Sequence, residues 1–200
     1  MIKVGLTGGI GSGKSAIAAL FEKNGFPVYY SDQRASTLME TNEVIIQKLK
    51  FYFGDKVFNE TTEKYELNRL YLSSIVFKDS FYLSILNSLV HPFVYGDFQS
   101  WCLRQSSEIV IKESALIFEN EALDEFDYTI LVTAQQQTRI LRVQKRNGLD
   151  SQKILERMEA QIDPETAKVE ADYVLENDKD LNALESNFNL MLKELNLLKA

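Results

Sequence analysis

A chain of 200 residues, 45% hydrophobic and 26% charged, is long enough for one domain with a sizeable buried core. Its net charge of −7 argues against nucleic acid as a partner, because affinity for a phosphate backbone is built from clustered Lys and Arg. The single cysteine, Cys102, makes no internal disulfide and has no second thiol or histidine cluster beside it, which fits a reducing, cytoplasmic compartment. No basic segment followed by an apolar stretch opens the chain, and no apolar run approaches the ~20 residues of a bilayer span, so neither secretion nor membrane insertion is expected.

Residues Ile2 to Leu6 read as a buried strand and Ser15 to Asn24 as a helix, with Ile17, Leu20 and Phe21 recurring at helical spacing. Gly25 and Pro27 end that helix and launch a second strand, Val28 to Tyr30. Strand, helix and strand within about thirty residues make a βαβ unit, hence a parallel sheet with a right-handed crossover. From Asp32 to Arg104 the periodicity is mostly helical, with a strand signal only at Phe51 to Phe58. Further strands are expected at Ile109 to Ile111, continuing toward Phe118, at Tyr128 to Val132 and at Tyr173 to Leu175. A polar, arginine-containing helical region runs from about Gln135 to Ala167, and a last helix from about Leu181 to Leu198. Three prolines and nine glycines leave no evident flexible linker, and no internal repeat appears.

Between the first strand and the first helix stands Gly8-Gly9-Ile10-Gly11-Ser12-Gly13-Lys14-Ser15, a glycine followed by four residues and then Gly-Lys-Ser. Glycines permit positive φ and leave no Cβ in the way, so successive N–H groups of Gly9, Gly11, Ser12, Gly13 and the following Lys14, Ser15 and Ala16 can turn into one concavity around a phosphate. The amino end of the helix adds partial positive charge there. Lys14 is expected to reach the β- and γ-phosphates of ATP, and the Ser15 hydroxyl to ligate Mg²⁺. The motif alone does not separate kinases from other nucleotide hydrolases, but the chain carries no Asn-Lys-x-Asp tetrapeptide of the kind that reads guanine.

A small-molecule kinase also needs a group near the acceptor hydroxyl, a cationic lid and an acceptor pocket. Asp32 directly follows the second strand, at the edge of the sheet where open α/β folds bind ligands, and is either a general base or a cap for the next helix. Arg139, Arg142, Lys145 and Arg146 share a helix face by three- and four-residue spacing; that face either closes over ATP, neutralising charge on the phosphoryl oxygens and excluding water, or is a solvated charged helix. Glu113, at the end of the Ile109 strand, is placed like an acid that supports Mg²⁺ through water, or is an exposed strand-end charge. The lone histidine, His91, precedes Pro92 at the end of an apolar helical run, where most histidines are structural.

Several of these segments resemble the dephospho-CoA kinase family over nearly the whole length. Leu6-Thr7-Gly8-Gly9-Ile10-Gly11 is similar to that family's narrower form of the phosphate loop. Val28-Tyr29-Tyr30-Ser31-Asp32 resembles its Val-x-Asp-Ala-Asp, with Asp32 in the place of the catalytic aspartate and Tyr30 where the family carries its first aspartate. Asn68-Arg69 with Ile75-Val76-Phe77 resembles the Asp-Arg and Val-Phe pattern, and His91-Pro92 the His-Pro of the CoA-binding helices. Glu113 to Glu119 resembles Asp-Val-Pro-Leu-Leu-Phe-Glu, with glutamate for the first aspartate and Ala115 for proline. Arg142-Val143, Arg146-Asn147-Gly148 and Arg157-Met158-Glu159-Ala160-Gln161 resemble the lid motifs, and Ala171-Asp172-Tyr173-Val174-Leu175-Glu176-Asn177 a strand and turn near the adenine.

The resemblance implies a P-loop NTPase fold of the α/β class: a parallel sheet flanked by helices, with helical substrate-binding and lid insertions. It implies one kinase domain with its core at about 1–31, 105–134 and 168–200, a helical CoA-binding region at about 32–104 and a lid at about 135–167. The implied reaction phosphorylates the ribose 3′-hydroxyl of dephospho-CoA with ATP and Mg²⁺, and no protein partner is evident. Lys14, Asp32 and Arg142 are then the catalytic candidates, and Arg146 and Asn177 join the loop in binding ATP. Arg69, His91, Glu113 and Arg157 join Asp32 in binding substrate. Two other readings keep the phosphate loop: a kinase with a different acceptor pocket, or a non-catalytic ATP sensor, which needs neither a base nor lid arginines.

Overall fold

The computed structural model describes residues 1–59, 64–118, 123–148, 150–159 and 161–195. In chain order these form β1 (Ile2–Thr7), α1 (Lys14–Lys23), β2 (Val28–Tyr30), α2 (Ser31–Thr41), α3 (Glu43–Phe53), β3 (Phe58–Asn59), β4 (Glu66–Leu67), α4 (Arg69–Val76) and α5 (Ser80–Cys102). There follow β5 (Ile109–Glu113), β6 (Tyr128–Thr133), α6 (Gln136–Asn147), α7 (Ser151–Glu159), α8 (Pro164–Glu170), β7 (Tyr173–Glu176) and α9 (Leu181–Glu194). The chain divides into two compact units, Met1–Tyr30 with Gln105–Ala200, and Ser31–Arg104. Residues 135–167 fall within the first of these.

The first unit is built on a sheet of order β2-β5-β1-β6-β7, with every neighbouring pair parallel. Strands of such a sheet are covered on both faces and therefore read as continuous apolar runs rather than alternating ones. β1 fits that rule, with Val4, Gly5, Leu6 and Thr7 all buried. Gly5 is fixed by packing: a Cβ there would stand 3.0 Å from the Ile117 side chain and 3.1 Å from the Phe126 ring. One face carries the main core, where Leu6, Ile111, Ile130 and Leu175 meet Ile17 and Phe21 of α1 and Phe188 and Met191 of α9. Because β1 is central, the loop that follows it emerges at the carboxyl edge of the sheet between β5 and β6.

The second unit is helical, with α5 packed against α2, α3 and α4. Asn42 caps α3 by accepting from the amides of Val44 and Ile45, Asn68 caps α4 through Tyr71, and Asp79 caps α5 through Phe81. An Arg34 to Asp97 pair ties α2 to α5 by two parallel hydrogen bonds of 2.9 and 2.7 Å.

Two expectations are corrected. Phe51 to Phe53 complete α3, because Ile45, Ile46, Leu49 and Phe53 follow helical spacing into the interior until Gly54, at φ 79°, ends the helix; only Phe58–Asn59 is strand, paired antiparallel with Glu66–Leu67. β5 stops at Glu113 instead of running toward Phe118, since the Ser114 hydroxyl accepts the Leu116 amide and turns the chain out of the sheet. Pro92 lies inside α5, which continues to Cys102, and the buried stripe Val90, Val94, Phe98 and Cys102 outweighs the one backbone hydrogen bond that proline removes. Glu119, Ala160 and Leu198 lie outside the described residues.

Candidate active site

The phosphate loop begins where β1 ends and closes on Gly13, whose φ of 100° lets it cap α1 without a side chain. A Cβ at Gly13 would lie 2.1 Å from Asn177 Nδ2, so the position excludes any larger residue on packing as well as on φ. That approach has a purpose: Asn177 Nδ2 donates to the Ser12 carbonyl at 2.8 Å, and its own backbone N–H donates to the Thr133 carbonyl at 2.8 Å. Arg142 approaches the same carbonyl, with Nη1 at 3.3 Å from Ser12 O and Nη2 at 3.5 Å from Asn177 Oδ1. Asn177 is buried, Arg142 half-buried. Beside them opens a cleft of about 680 Å³ lined by Gly13, Ala16, Arg142, Asn177, Lys179 and Leu181.

The other flank of the loop is held from α6 and from the segment after α7. Gln161 Oε1 accepts the Ile10 amide at 2.8 Å, and Arg139 Nε donates to the Ile10 carbonyl at 2.9 Å. The Ile10 side chain packs with Ile140, Val143, Ile154, Leu155 and Met158, so the tip of the phosphate loop belongs to the small core of α6 and α7. Of the two readings of the α6 face, the solvated one does not hold for Arg139: it is 8% exposed, while Lys145 and Arg146 of the same face are exposed. Burial alone pushes the Arg139 pKa below its usual value. Gln161, present in the sequence as the end of the Arg157 motif, was not assigned a role there; only its 151-residue separation from Ile10 kept that contact out of reach.

Lys14 Nζ donates to the carbonyl of Gly8 at the start of its own loop. Ser15 is exposed in the first turn of α1. Glu113 is not an exposed strand-end charge: it is 8% exposed at the end of β5, in register with Tyr30 at the end of β2. Burial, a hydrogen bond from Tyr30 to Glu22, and the carboxylates of Glu22 and Glu113 together push the Tyr30 phenol up to about 12. Next to Glu113 in sequence but on the other face, Lys112 forms a buried ion pair with Glu125 at 2.6 Å and lies 5.6 Å from the Phe126 ring centre; it belongs to the scaffold.

Asp32, Arg69 and His91 are in the second unit. Asp32 is exposed in the first turn of α2, inside the helix rather than capping it, two residues after the end of β2. Arg69, at the start of α4, reaches back to the Ser36 hydroxyl and to Glu40 at 3.4 Å. His91 is half-buried in mid-helix on α5. Arg157 is exposed in the last turn of α7.

A family model described as dephospho-CoA kinase matches residues 2–183. A dephospho-CoA kinase of Salinibacter ruber is 35% identical over 187 residues, covering 92% of each chain. Among solved structures, a Thermus thermophilus protein superposes with a TM-score of 0.84 at 34% identity over 97% of both chains. A dephospho-CoA kinase of Campylobacter jejuni shares the fold at a TM-score of 0.70 and 22% identity over 96% of both.

Proposed function

The chain belongs to the dephospho-CoA kinase family, and from that premise we propose that it transfers the γ-phosphoryl group of ATP to the ribose 3′-hydroxyl of dephospho-CoA, giving coenzyme A and ADP. The observation that carries the reading is the phosphate loop itself, held in shape from both flanks by Asn177, Arg142, Arg139 and Gln161 around Lys14. Donors fixed before the reaction cost no reorganisation when charge develops on the phosphoryl oxygens, which is where most of the catalysis of phosphoryl transfer lies.

In this reading the amides of Gly9, Gly11, Ser12, Gly13, Lys14, Ser15 and Ala16 cradle the phosphates, and Lys14 exchanges the Gly8 carbonyl for the β- and γ-oxygens when ATP enters. Arg142 and Asn177 line the cleft for the nucleotide beyond Gly13, and Arg146 adds a cation from the exposed side of α6. Asp32 accepts the proton of the acceptor hydroxyl as its oxygen attacks the γ-phosphorus in line with the departing ADP. Arg69 and Arg157 offer exposed cations to the phosphates of the acceptor, and His91 serves the acceptor from within α5. Ser15 and Glu113 supply hard oxygen donors of the kind Mg²⁺ prefers, with the remaining positions left to ATP phosphates and water, so these residues fit that ion. When bound, Mg²⁺ draws negative charge from the β- and γ-oxygens. The proposal places the reaction in the cytoplasm; among the described residues no helix is long and apolar enough to cross a membrane.

The test is an ADP-release assay with ATP and Mg²⁺, comparing dephospho-CoA with a panel of nucleosides and with no acceptor. ADP formed with dephospho-CoA alone is the expected result. Release with another acceptor, or none at all, overturns the assignment of the acceptor.

A further inference from the structure

α2 carries Asp32, Ser36 and Glu40 at four-residue steps, each about 6 Å further along the axis, so the three side chains wind up one face of the helix. The rotation of α2 about that axis is set from its other side, where Arg34 meets Asp97 of α5 through two parallel hydrogen bonds of 2.9 and 2.7 Å. Arg69, the first residue of α4, lays one end of its guanidinium on the Asp32 face: Nη2 donates to the Ser36 hydroxyl and lies 3.4 Å from Glu40 Oε1. The segment before it is tied down residue by residue. The Leu67 amide donates to the same Glu40 oxygen at 3.2 Å, the Asn68 amide donates to the Val57 carbonyl at 2.8 Å, and the Asn68 side chain caps α4 by accepting from the Tyr71 amide. Glu40 thereby holds both the backbone that leads into Arg69 and the end of its side chain.

A guanidinium carries five N–H donors in a rigid fork, so Nη2 can rest on α2 while the other donors take a phosphate oxygen. The Arg69 side chain is 61% exposed, which gives an anion access to it. Asp32 stands one turn from Ser36, so a ligand that touches both the carboxylate and the cation spans about one sugar ring. We propose that Ser36 and Glu40 are positioning residues that act through Arg69: they aim its guanidinium at a phosphate on the 5′ carbon of the same ribose whose 3′-hydroxyl meets Asp32. The acceptor class is then a nucleoside 5′-phosphate or 5′-diphosphate derivative with its 3′-hydroxyl unsubstituted. Because the contacts with Arg69 are exposed, they bias its direction, and the phosphate of the ligand completes the geometry. The Glu40 carboxylate offsets part of the cation's charge, so what it contributes to the acceptor is direction rather than attraction.

Asp32 and Arg69 enter here as the acceptor residues of the proposed function, on which the inference rests. The experiment measures kcat and both KM values in the full chain for Glu40→Ala, Arg69→Ala and the double variant, with Ser36→Ala and Glu40→Gln beside them and a thermal midpoint to establish that each is folded. Glu40→Ala is expected to raise KM for dephospho-CoA by about threefold, the scale of one exposed ion pair, with kcat and KM for ATP within about twofold of the parent. In the Arg69→Ala background the same substitution should raise KM no further, since the residue it acts through is gone. Glu40→Gln keeps an oxygen that accepts from Nη2 and from the Leu67 amide, so its KM should stay near the parent value. Ser36→Ala should raise KM for dephospho-CoA in the same way and, if Glu40→Ala does not fold, its cycle with Arg69→Ala reads the same coupling. An equal rise in both backgrounds, a rise shared by KM for ATP, or no rise at all overturns the proposal. A parent that phosphorylates a different acceptor overturns the proposed function instead, and the cycle on that acceptor's KM then decides whether Ser36 and Glu40 act through Arg69. An acceptor without a phosphate, or no turnover with any acceptor, overturns both.

Discussion

The phosphate-loop unit and the helical unit prepare their candidate residues in opposite ways. In the first, side chains from far along the chain hold the loop: Gln161 reaches Ile10 across 151 residues, Asn177 reaches Ser12 across 165, and both Asn177 and Arg139 are buried. In the second, Asp32 and Arg69 are exposed, and among the described residues Arg69 is steadied by surface partners on α2, Ser36 and Glu40. The lesson is a division of labour between preorganised electrostatics and groups that take their working geometry from the ligand. On the proposed reading, phosphates are met by donors that are costly to leave unmet, whereas the acceptor meets side chains that solvent already satisfies.

The strongest way to break that division is Asp32→Asn. The amide keeps the size and helix position of the side chain but cannot take a proton, so turnover should drop by about 10²–10⁴. Nucleotide affinity, measured by titration with ADP, should stay within about twofold of the parent, since the proposed role of this residue is toward the acceptor hydroxyl and not toward the nucleotide. A parallel loss of nucleotide affinity would mean that the two preparations are not separable.

Asn177→Ala attacks the preorganised side from within. It strips the buried donor from the Ser12 carbonyl, a change that costs about 1–3 kcal/mol, so the thermal midpoint and the affinities for ADP and ATP should fall together. Unchanged nucleotide affinity with a lowered midpoint would show that the loop keeps its shape without this hook. Arg69→Ala is the mild counterpart on the other side. Its ion pair with Glu40 is long and exposed, worth about 0–1 kcal/mol, so the midpoint should barely move while KM for dephospho-CoA rises roughly fivefold and KM for ATP does not.

The same contrast separates what the sequence reveals from what it hides. The strands of the sheet are legible because each is a short apolar run bounded by turn residues, and the β2 strand ends in the structure at the residue the pattern marks, Tyr30. The phosphate loop is legible because its chemistry is local: eight consecutive residues carry it. Gln161 and the burial of Arg139 are not, because charge spacing on α6 reads the same whether a side chain meets water or another segment; only folding brings Ile10 under it. α5 runs through Pro92 for a related reason, since the cost of the proline is local and its compensation by Val94, Phe98 and Cys102 is a matter of packing. Glu113 was read correctly in place, yet its burial depends on the neighbouring strands and is invisible in the run Ile109 to Ile111.

The smallest effect concerns Tyr30, at the end of β2, where the resembled family carries an aspartate. Burial, the bond to Glu22 and the neighbouring carboxylates raise its phenol from 10.0 to about 12. A folded-state pKa above the unfolded one means that the fold favours the neutral phenol. The stabilisation is then fully present below about pH 10 and is lost as pH rises toward about 12, where the folded phenol ionises at last. Tyr30→Phe removes the titration and the bond to Glu22 but keeps the ring, so the decline of the unfolding midpoint between those pH values should be shallower than in the parent. Some slope should remain, because the Tyr173 phenol is also raised by burial and by Glu194 and stays in the variant. An identical slope in both proteins would show that the end of β2 gains nothing from keeping the Tyr30 phenol neutral. In that case the aromatic ring, packed against the main core, accounts for what this tyrosine contributes to the fold.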